Sequence, residues 1–238
     1  MQLVGGDIME KNCVEIIGIL KKMIVLPKLT LIISNENRDL YNYFTKPHPR
    51  YKIIKNKRWG VAIIEMPSSF ELYLKGKNKQ ALRTNRRKSI KAGYFFAIFN
   101  PMELVPEIMD INMSSYSRQG RRMNEAYTNE AEVNKWILDK PILYGVFDKS
   151  DRLKAYAHVP DIGEVCVISR LLGHKDSLDD GVMYLLISEV INNIIGKIDS
   201  LSIPKYIMYD TFFGANTGLK YFKERLGFEP YNINWRLE

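Results

Sequence analysis

Apolar residues recur at helical spacing most clearly over Val182–Ile195, where Val182, Leu185, Leu186, Val190 and Ile194 fall on one face. Thr217–Leu226 repeats the pattern with Leu219, Phe222 and Leu226. Before these helices the apolar runs shorten to strand length. Ile142–Phe147, Leu153–Val159 and Val165–Leu172 are divided by polar turns at Asp148–Asp151 and Asp161–Glu164, a spacing that predicts a meander of three antiparallel strands. The third run is apolar enough for a central strand. Trp59–Met66, Tyr94–Phe99, Tyr206–Phe213 and Tyr231–Leu237 read as further strands.

The N-terminal part predicts a short amphipathic helix over 14–24, a strand at Leu29–Ser34, and a helix at Asn35–Phe44 capped by Ser34 or Asn35. Lys46-Pro47-His48-Pro49 is a turn, because each proline disfavours helix at the residue before it. Residues 1–46 are therefore expected to be a helix-strand-helix extension, and 47–238 a single domain. Ser68 and Glu71 have capping-box spacing for a helix opening near Phe70. A basic helix follows over 75–91, ended by Gly93. A helix pair is expected across 101–138, the first lined by Leu104, Ile108, Ile111 and Met113, with the polar stretch Ser114–Arg122 between the two. This order belongs to the α+β class: a mixed, mostly antiparallel sheet flanked by helices.

Composition adds limits. Hydrophobic residues make up 46% and charged residues 26%, which leaves enough apolar surface for a sizeable core. A formal net charge of +8 favours anionic partners such as a phosphorylated cofactor, a nucleic acid or a membrane surface. Cys13 and Cys166 lie far apart and His48, His158 and His174 are scattered, so neither a disulfide framework nor a metal site is expected. The apolar stretch from Cys13 to Ser34 is broken by Glu15, Lys21, Lys22, Pro27 and Lys28, too interrupted to span a bilayer. Cytoplasm is the default compartment.

The most biased segment holds Lys75, Lys77, Lys79, Arg83, Arg86, Arg87, Lys88 and Lys91 with no acid among them. Such a run could contact tRNA or another polyanion. Aromatic interleaving is absent, since only Tyr73 and Tyr94 flank it, and a solvated or phosphate-contacting face is the favoured reading.

Three segments together resemble the FemAB-like branch of the GNAT acyltransferase superfamily. One is the basic helix, with Arg83, Arg86 and Arg87 ahead of the closing Gly93. The second is the turn with Arg118, Gly120 and Arg121. The third is the ending Asn216–Phe228, in which Asn216 stands eleven residues before Gly227. The resemblance covers roughly residues 55–238 and implies a GNAT-like fold with transfer of an acyl group to an amine. Acyl-CoA or a carrier thioester is the implied donor. The alternatives are a tRNA-dependent aminoacyl transferase, or an inactive domain that binds an anionic partner through its basic helix.

The resemblance also implies a site. Lys223 stands where many GNAT enzymes have a tyrosine, and would supply positive charge to a phosphate or a developing oxyanion. Arg170, Leu171, Leu172, Gly173, Gly181 and Asn216 would contact the cofactor, and Arg83, Arg86, Arg87, Arg118 and Arg121 a substrate or its phosphates. Lys175 replaces the last small residue of the usual pyrophosphate signature, and Asp179 and Asp180 precede the helix start, where they would repel a diphosphate. Strands around Val165–Leu172 and Tyr206–Phe213, taken as antiparallel, would splay to admit the donor. At the end of the second strand Asp210 is the candidate base or amine anchor and Tyr209 the candidate acid, although strand alternation lets only one face the cleft. His158 is a conceivable base and reads better as a structural residue.

Overall fold

The computed structural model describes residues 25–49, 52, 54–118, 120–197, 204–213 and 215–238. The helix expected over 14–24 lies outside them. In chain order the elements are β1 (Lys28–Ile33), α1 (Arg38–Thr45), β2 (Trp59–Glu65), α2 (Phe70–Leu74), α3 (Gln80–Lys91), β3 (Phe95–Phe99) and α4 (Val105–Met113). A small hairpin, β4 (Ser117–Arg118) and β5 (Arg121–Arg122), precedes α5 (Glu125–Thr128) and α6 (Glu130–Leu138). Then come β6 (Leu143–Phe147), β7 (Leu153–His158), β8 (Val165–Val167) and β9 (Arg170–Gly173). The chain ends with α7 (Val182–Ile195), β10 (Tyr206–Thr211), α8 (Thr217–Leu226) and β11 (Glu229–Leu237).

The expected α+β architecture is present, built on two main sheets. One has the order β1-β11-β2-β10-β8, the other β3-β6-β7-β9. The run Val165–Leu172, expected as one central strand, is shared between them. Its first half, β8, pairs with β10 and its second half, β9, with β7, so each half is an edge strand of its sheet. The change of partner takes one residue. The Ile168 amide donates to the Met208 carbonyl at 2.8 Å, and the next amide, Ser169, donates to the His158 carbonyl at 3.0 Å. The apolar character of this run reflects burial between two sheets, a demand on composition that a central strand makes equally.

A second correction concerns direction. β8 and β10 are parallel, with Tyr206 beside Val165 and Met208 beside Val167. The helix α7 joins them, as a parallel pair requires a long crossover. That helix packs against both sheets. Leu185, Leu186, Val190 and Ile191 meet Ala62, Ile64, Cys166 and Ile207 of one sheet and Tyr144, Val146, Ala155 and Ala157 of the other. The far face of the first sheet, with Val61, Val165, Val167 and Met208, is covered by Phe44 of α1. The far face of the second, with Leu143, Tyr156 and Leu172, is covered by Ile108 and Ile111 of α4 and Val133 and Ile137 of α6.

Local chemistry explains the element ends. Ser69, rather than Ser68, caps α2 and accepts from the Leu72 amide at 3.2 Å. The basic segment is interrupted at Gly76, whose φ of 100° and the short 3-10 turn Lys77–Lys79 precede α3. Within α4 the expected stripe is buried at Ile108 and Ile111, while Met113 is 58% exposed. β1 lies parallel to β11 from Lys28 beside Asn232 to Ile33 beside Leu237, so residues 28–46 supply an edge strand and a covering helix to the first sheet.

Candidate functional site

Past Met208 and Ile168 the two sheets part, and the residues beyond the last shared hydrogen bond gather around the gap. β10 is irregular there, with a register shift against β2 between Met208 and Thr211. Asp210 takes up that irregularity in a left-handed conformation, φ 50°, a region few residues other than glycine adopt without strain. Its carboxylate forms an ion pair with Lys57, whose side chain is 17% exposed against 57% for Asp210. Both line a cleft of about 1000 Å³ that also takes in Trp136, His158, Ser169 and Lys140.

Lys223 lies beneath the same bend. It projects from α8 into the core, 1% exposed, and its Nζ donates to the Thr211 carbonyl at 2.9 Å. The ammonium stands 4.5 Å from the centre of the Tyr209 ring and 5.7 Å from that of Phe212. Burial drives its pKa down to about 8; Asp210 acts in the opposite sense and Lys57 in the same sense as burial. Tyr209 packs against Phe228 at 5.8 Å, and burial followed by the nearby Asp210 raises its phenol above the ordinary value. Of the two candidates at the strand end, Asp210 is the one that lines the cleft.

Across the gap, His158 Nδ1 lies 2.6 Å from Ser169 Oγ, and Ser169 Oγ also donates to the His158 carbonyl at 3.2 Å. The Trp136 ring meets the imidazole edge-on at 5.6 Å. Burial, with Lys140 and Arg170 adding to it, lowers the pKa of His158 to about 4. The ring is therefore neutral at physiological pH.

The residues expected to bind cofactor or phosphate are dispersed. Arg170 leaves the phosphate turn altogether: its guanidinium carbon is 3.6 Å from the Trp136 ring centre and 4.4 Å from that of Tyr127, and Nη2 donates to the Ala126 carbonyl at 3.2 Å. Leu172 is buried in the second sheet and Leu171 packs beside α7. Gly173 and Gly181 do flank the turn before α7, yet that turn is filled. A Cβ at Gly173 would meet Met183 at 2.5 Å, and one at Gly181 the Asn85 carbonyl at 2.6 Å. Lys88 donates to the Asp179 carbonyl at 2.6 Å and the Tyr94 hydroxyl to Asp180 at 2.9 Å. Asn216 caps α8, accepting from the Leu219 amide at 2.8 Å.

The arginines divide likewise. Arg83 donates to the carbonyls of Leu74 and Gly76, and Arg86 to Glu189 through Nε and Nη2 at 3.1 and 2.5 Å. Arg118 ties the hairpin to the carbonyls of Gly173 and Ile111. Arg87 and Arg121 are exposed. Lys57, Ser169, Trp136 and Tyr127 belong to the site geometry but to no motif. Only tertiary packing brings them there. No helix among the described residues is long and apolar enough to cross a membrane. Those residues contain no group of three or more His, Cys, Asp or Glu placed to hold a metal ion.

No family model and no curated relative matches the chain. Solved structures do. The C-terminal domain (DUF2156) of a protein assigned as lysylphosphatidylglycerol synthetase, from Agrobacterium fabrum, is 13% identical with a TM-score of 0.51, over 73% of this chain and 58% of that one. A conserved protein of unknown function from Bacteroides thetaiotaomicron is 15% identical with a TM-score of 0.51, over 82% and 64%. A tandem GNAT protein from the clavulanic acid biosynthesis pathway is 15% identical with a TM-score of 0.40, over 59% and 43%. The aligned part of this chain thus spans less than two thirds of each of these proteins. The first two of them show that this mixed α+β fold is a shared one.

Proposed function

We propose that this chain transfers an acyl or aminoacyl group to an amine at the gap where β8 and β10 part. The observation that carries the reading is the buried Lys223 ammonium beneath the left-handed bend at Asp210, with the Asp210 carboxylate on the open side. The acceptor ammonium would replace Lys57 as the partner of Asp210 and lose its proton to that carboxylate. Its nitrogen then attacks the donor carbonyl carbon; the C–N bond forms and the C–S or C–O bond breaks. Lys223 would stabilise the oxyanion and protonate the departing thiolate or alkoxide, then take up the second proton as the new amide nitrogen sheds it, while Asp210 returns the first to solvent; its lowered pKa suits this exchange. The fold shared with a protein assigned as lysylphosphatidylglycerol synthetase is consistent with transfer of this kind.

Acyl-CoA or a carrier thioester is the first donor to test. An aminoacyl ester on tRNA is a second reading, favoured by the filled turn before α7, which presents Asp179 and Asp180 where a diphosphate would otherwise rest. A thermal-shift panel with acetyl-CoA, longer acyl-CoAs and bulk tRNA separates the two. A donor at a hundredfold over its Kd stabilises the protein by about 2.7 kcal/mol. A salt-sensitive shift from tRNA with none from any thioester retires the CoA reading; no shift from either retires the transfer reading.

A further inference from the structure

A second cavity, of about 740 Å³, lies between the loop before α3, α8 and the start of β11. Its rim carries Lys75, Lys77, Lys79 and Lys220 against Glu224 and Glu229. Four cations face two carboxylates, an excess of two positive charges around one opening. Lys75, Lys77 and Lys220 are exposed; Lys75 interacts with Glu71, whereas Lys77 and Lys220 have no ion-pair partner among the described residues. Lys79 is held in place: it donates to the Leu226 carbonyl and lies 4.1 Å above the Tyr73 ring. Burial lowers its pKa to about 8, and Glu229 acts in the opposite sense.

The backbone of this loop is open as well. Gly76 has φ 100°, and a side chain there would meet nothing within 4 Å. Phe213, which also lines the cavity, rests directly on Gly60, where an added Cβ would come within 2.1 Å of its ring. The turn before α7, where the resemblance implies an anion cradle, is occupied by the chain's own lysine, tyrosine and asparagine groups. Four ammonium groups instead line the opening of this second cavity.

We propose that this cavity binds the phosphate or diphosphate of a small molecule, with Lys77 and Lys220 as its principal contacts. Clustered ammonium groups suit a compact dianion better than a monovalent carboxylate, because the attraction scales with ligand charge while each lysine acts as a point charge. The wall between this cavity and the gap at Asp210 includes Phe212, which lines the cavity and lies against the Lys223 ammonium. A phosphate held here would therefore anchor a molecule across Phe212 from the transfer site.

Binding is tested without turnover, by calorimetric titration of the full chain with inorganic pyrophosphate at fixed ionic strength. Wild type is expected to bind, and the doubly substituted Lys77→Ala/Lys220→Ala protein to bind at least tenfold more weakly. A control carrying Lys135→Ala and Lys149→Ala, at exposed positions outside the cavity, is expected to bind like wild type. Equal binding by all three proteins, or equal heat from sodium chloride of matched ionic strength, overturns the site. Repeating the titration in saturating CoA identifies the source: displacement points to a phosphate of the donor, retention to one on the acceptor, and both keep the site. A protein that binds pyrophosphate yet transfers no acyl group keeps this site and loses the transfer reading. Transfer that survives without pyrophosphate binding does the reverse.

Discussion

The Nζ of Lys223 donates a hydrogen bond to the Thr211 carbonyl at 2.9 Å, so a helix cation is fastened to the strand one residue beyond the strained Asp210. That bond links α8 to the irregular end of β10. It places a positive charge inside the core, which is costly unless the charge is used or neutralised.

Lys223→Met tests this directly, since it keeps much of the volume and removes the charge. Because the folded pKa is about 8 against an ordinary 10.5, the folded state binds fewer protons than the unfolded one between those values. The wild type should therefore gain stability as pH rises from 8 toward 10, by up to about 3 kcal/mol in the limit. The variant should lack that part of the gain in urea titrations at pH 7.5 and 9.5, and its transfer rate should fall. An unchanged rate would return Lys223 to a purely structural role.

His158 gives the opposite end of the pH scale. Its folded pKa near 4 lies below the ordinary 6.5, so its stabilising contribution is complete above 6.5 and is lost as pH falls toward 4. The loss is on the order of 2 kcal/mol. His158→Gln removes the titration, and the variant should lose less stability than wild type between pH 7 and pH 4.5. Parallel losses in the two proteins would mean that the ring is not held neutral.

Asp210 combines an unusual backbone with an exposed charge. Asn tolerates the left-handed region, so Asp210→Asn should fold with stability within about 1 kcal/mol of wild type. It should nevertheless slow transfer at least tenfold, because the amide accepts no proton. Asp210→Gly relieves the backbone and should be no less stable than the Asn variant. Full activity in the Asn variant would remove Asp210 from the chemistry.

Gly181 holds α7 against α3. With φ 81° and the Asn85 carbonyl 2.6 Å from an added Cβ, Gly181→Ala forces a clash with backbone as well as strain. A loss of about 2 kcal/mol or more is expected in thermal or urea unfolding. A stability equal to wild type would show that the turn has room, and with it space for a ligand.

Much of the fold was legible in the chain. The helices Val182–Ile195 and Thr217–Leu226 match their expected bounds to the residue: Gly181 and Gly196 flank the first, and Asn216 and Gly227 the second. At α8 the caps are Asn216, accepting from Leu219, and Gly227 at φ 91°. The same two residues that signalled the fold thus prove to frame the helix that carries Lys223. The strand runs were also legible, since alternation and turn residues are local properties.

What the sequence by itself determined is therefore the set of local elements, the α+β class and the net positive charge. Tertiary structure decided the rest. Whether Val165–Leu172 was one strand or two depended on which neighbours its amides met, and one residue separates Met208 from His158 as partners. Arg170 carried a phosphate motif in sequence, but in space it lies between the rings of Tyr127 and Trp136. Lys223 was a site candidate through the family resemblance alone, and its burial under the bend at Asp210 is a fact of tertiary packing. Local spacing sets which backbone groups can bond within an element; the partners of a side chain are set by residues far away in sequence, and no pattern along the chain encodes their distance.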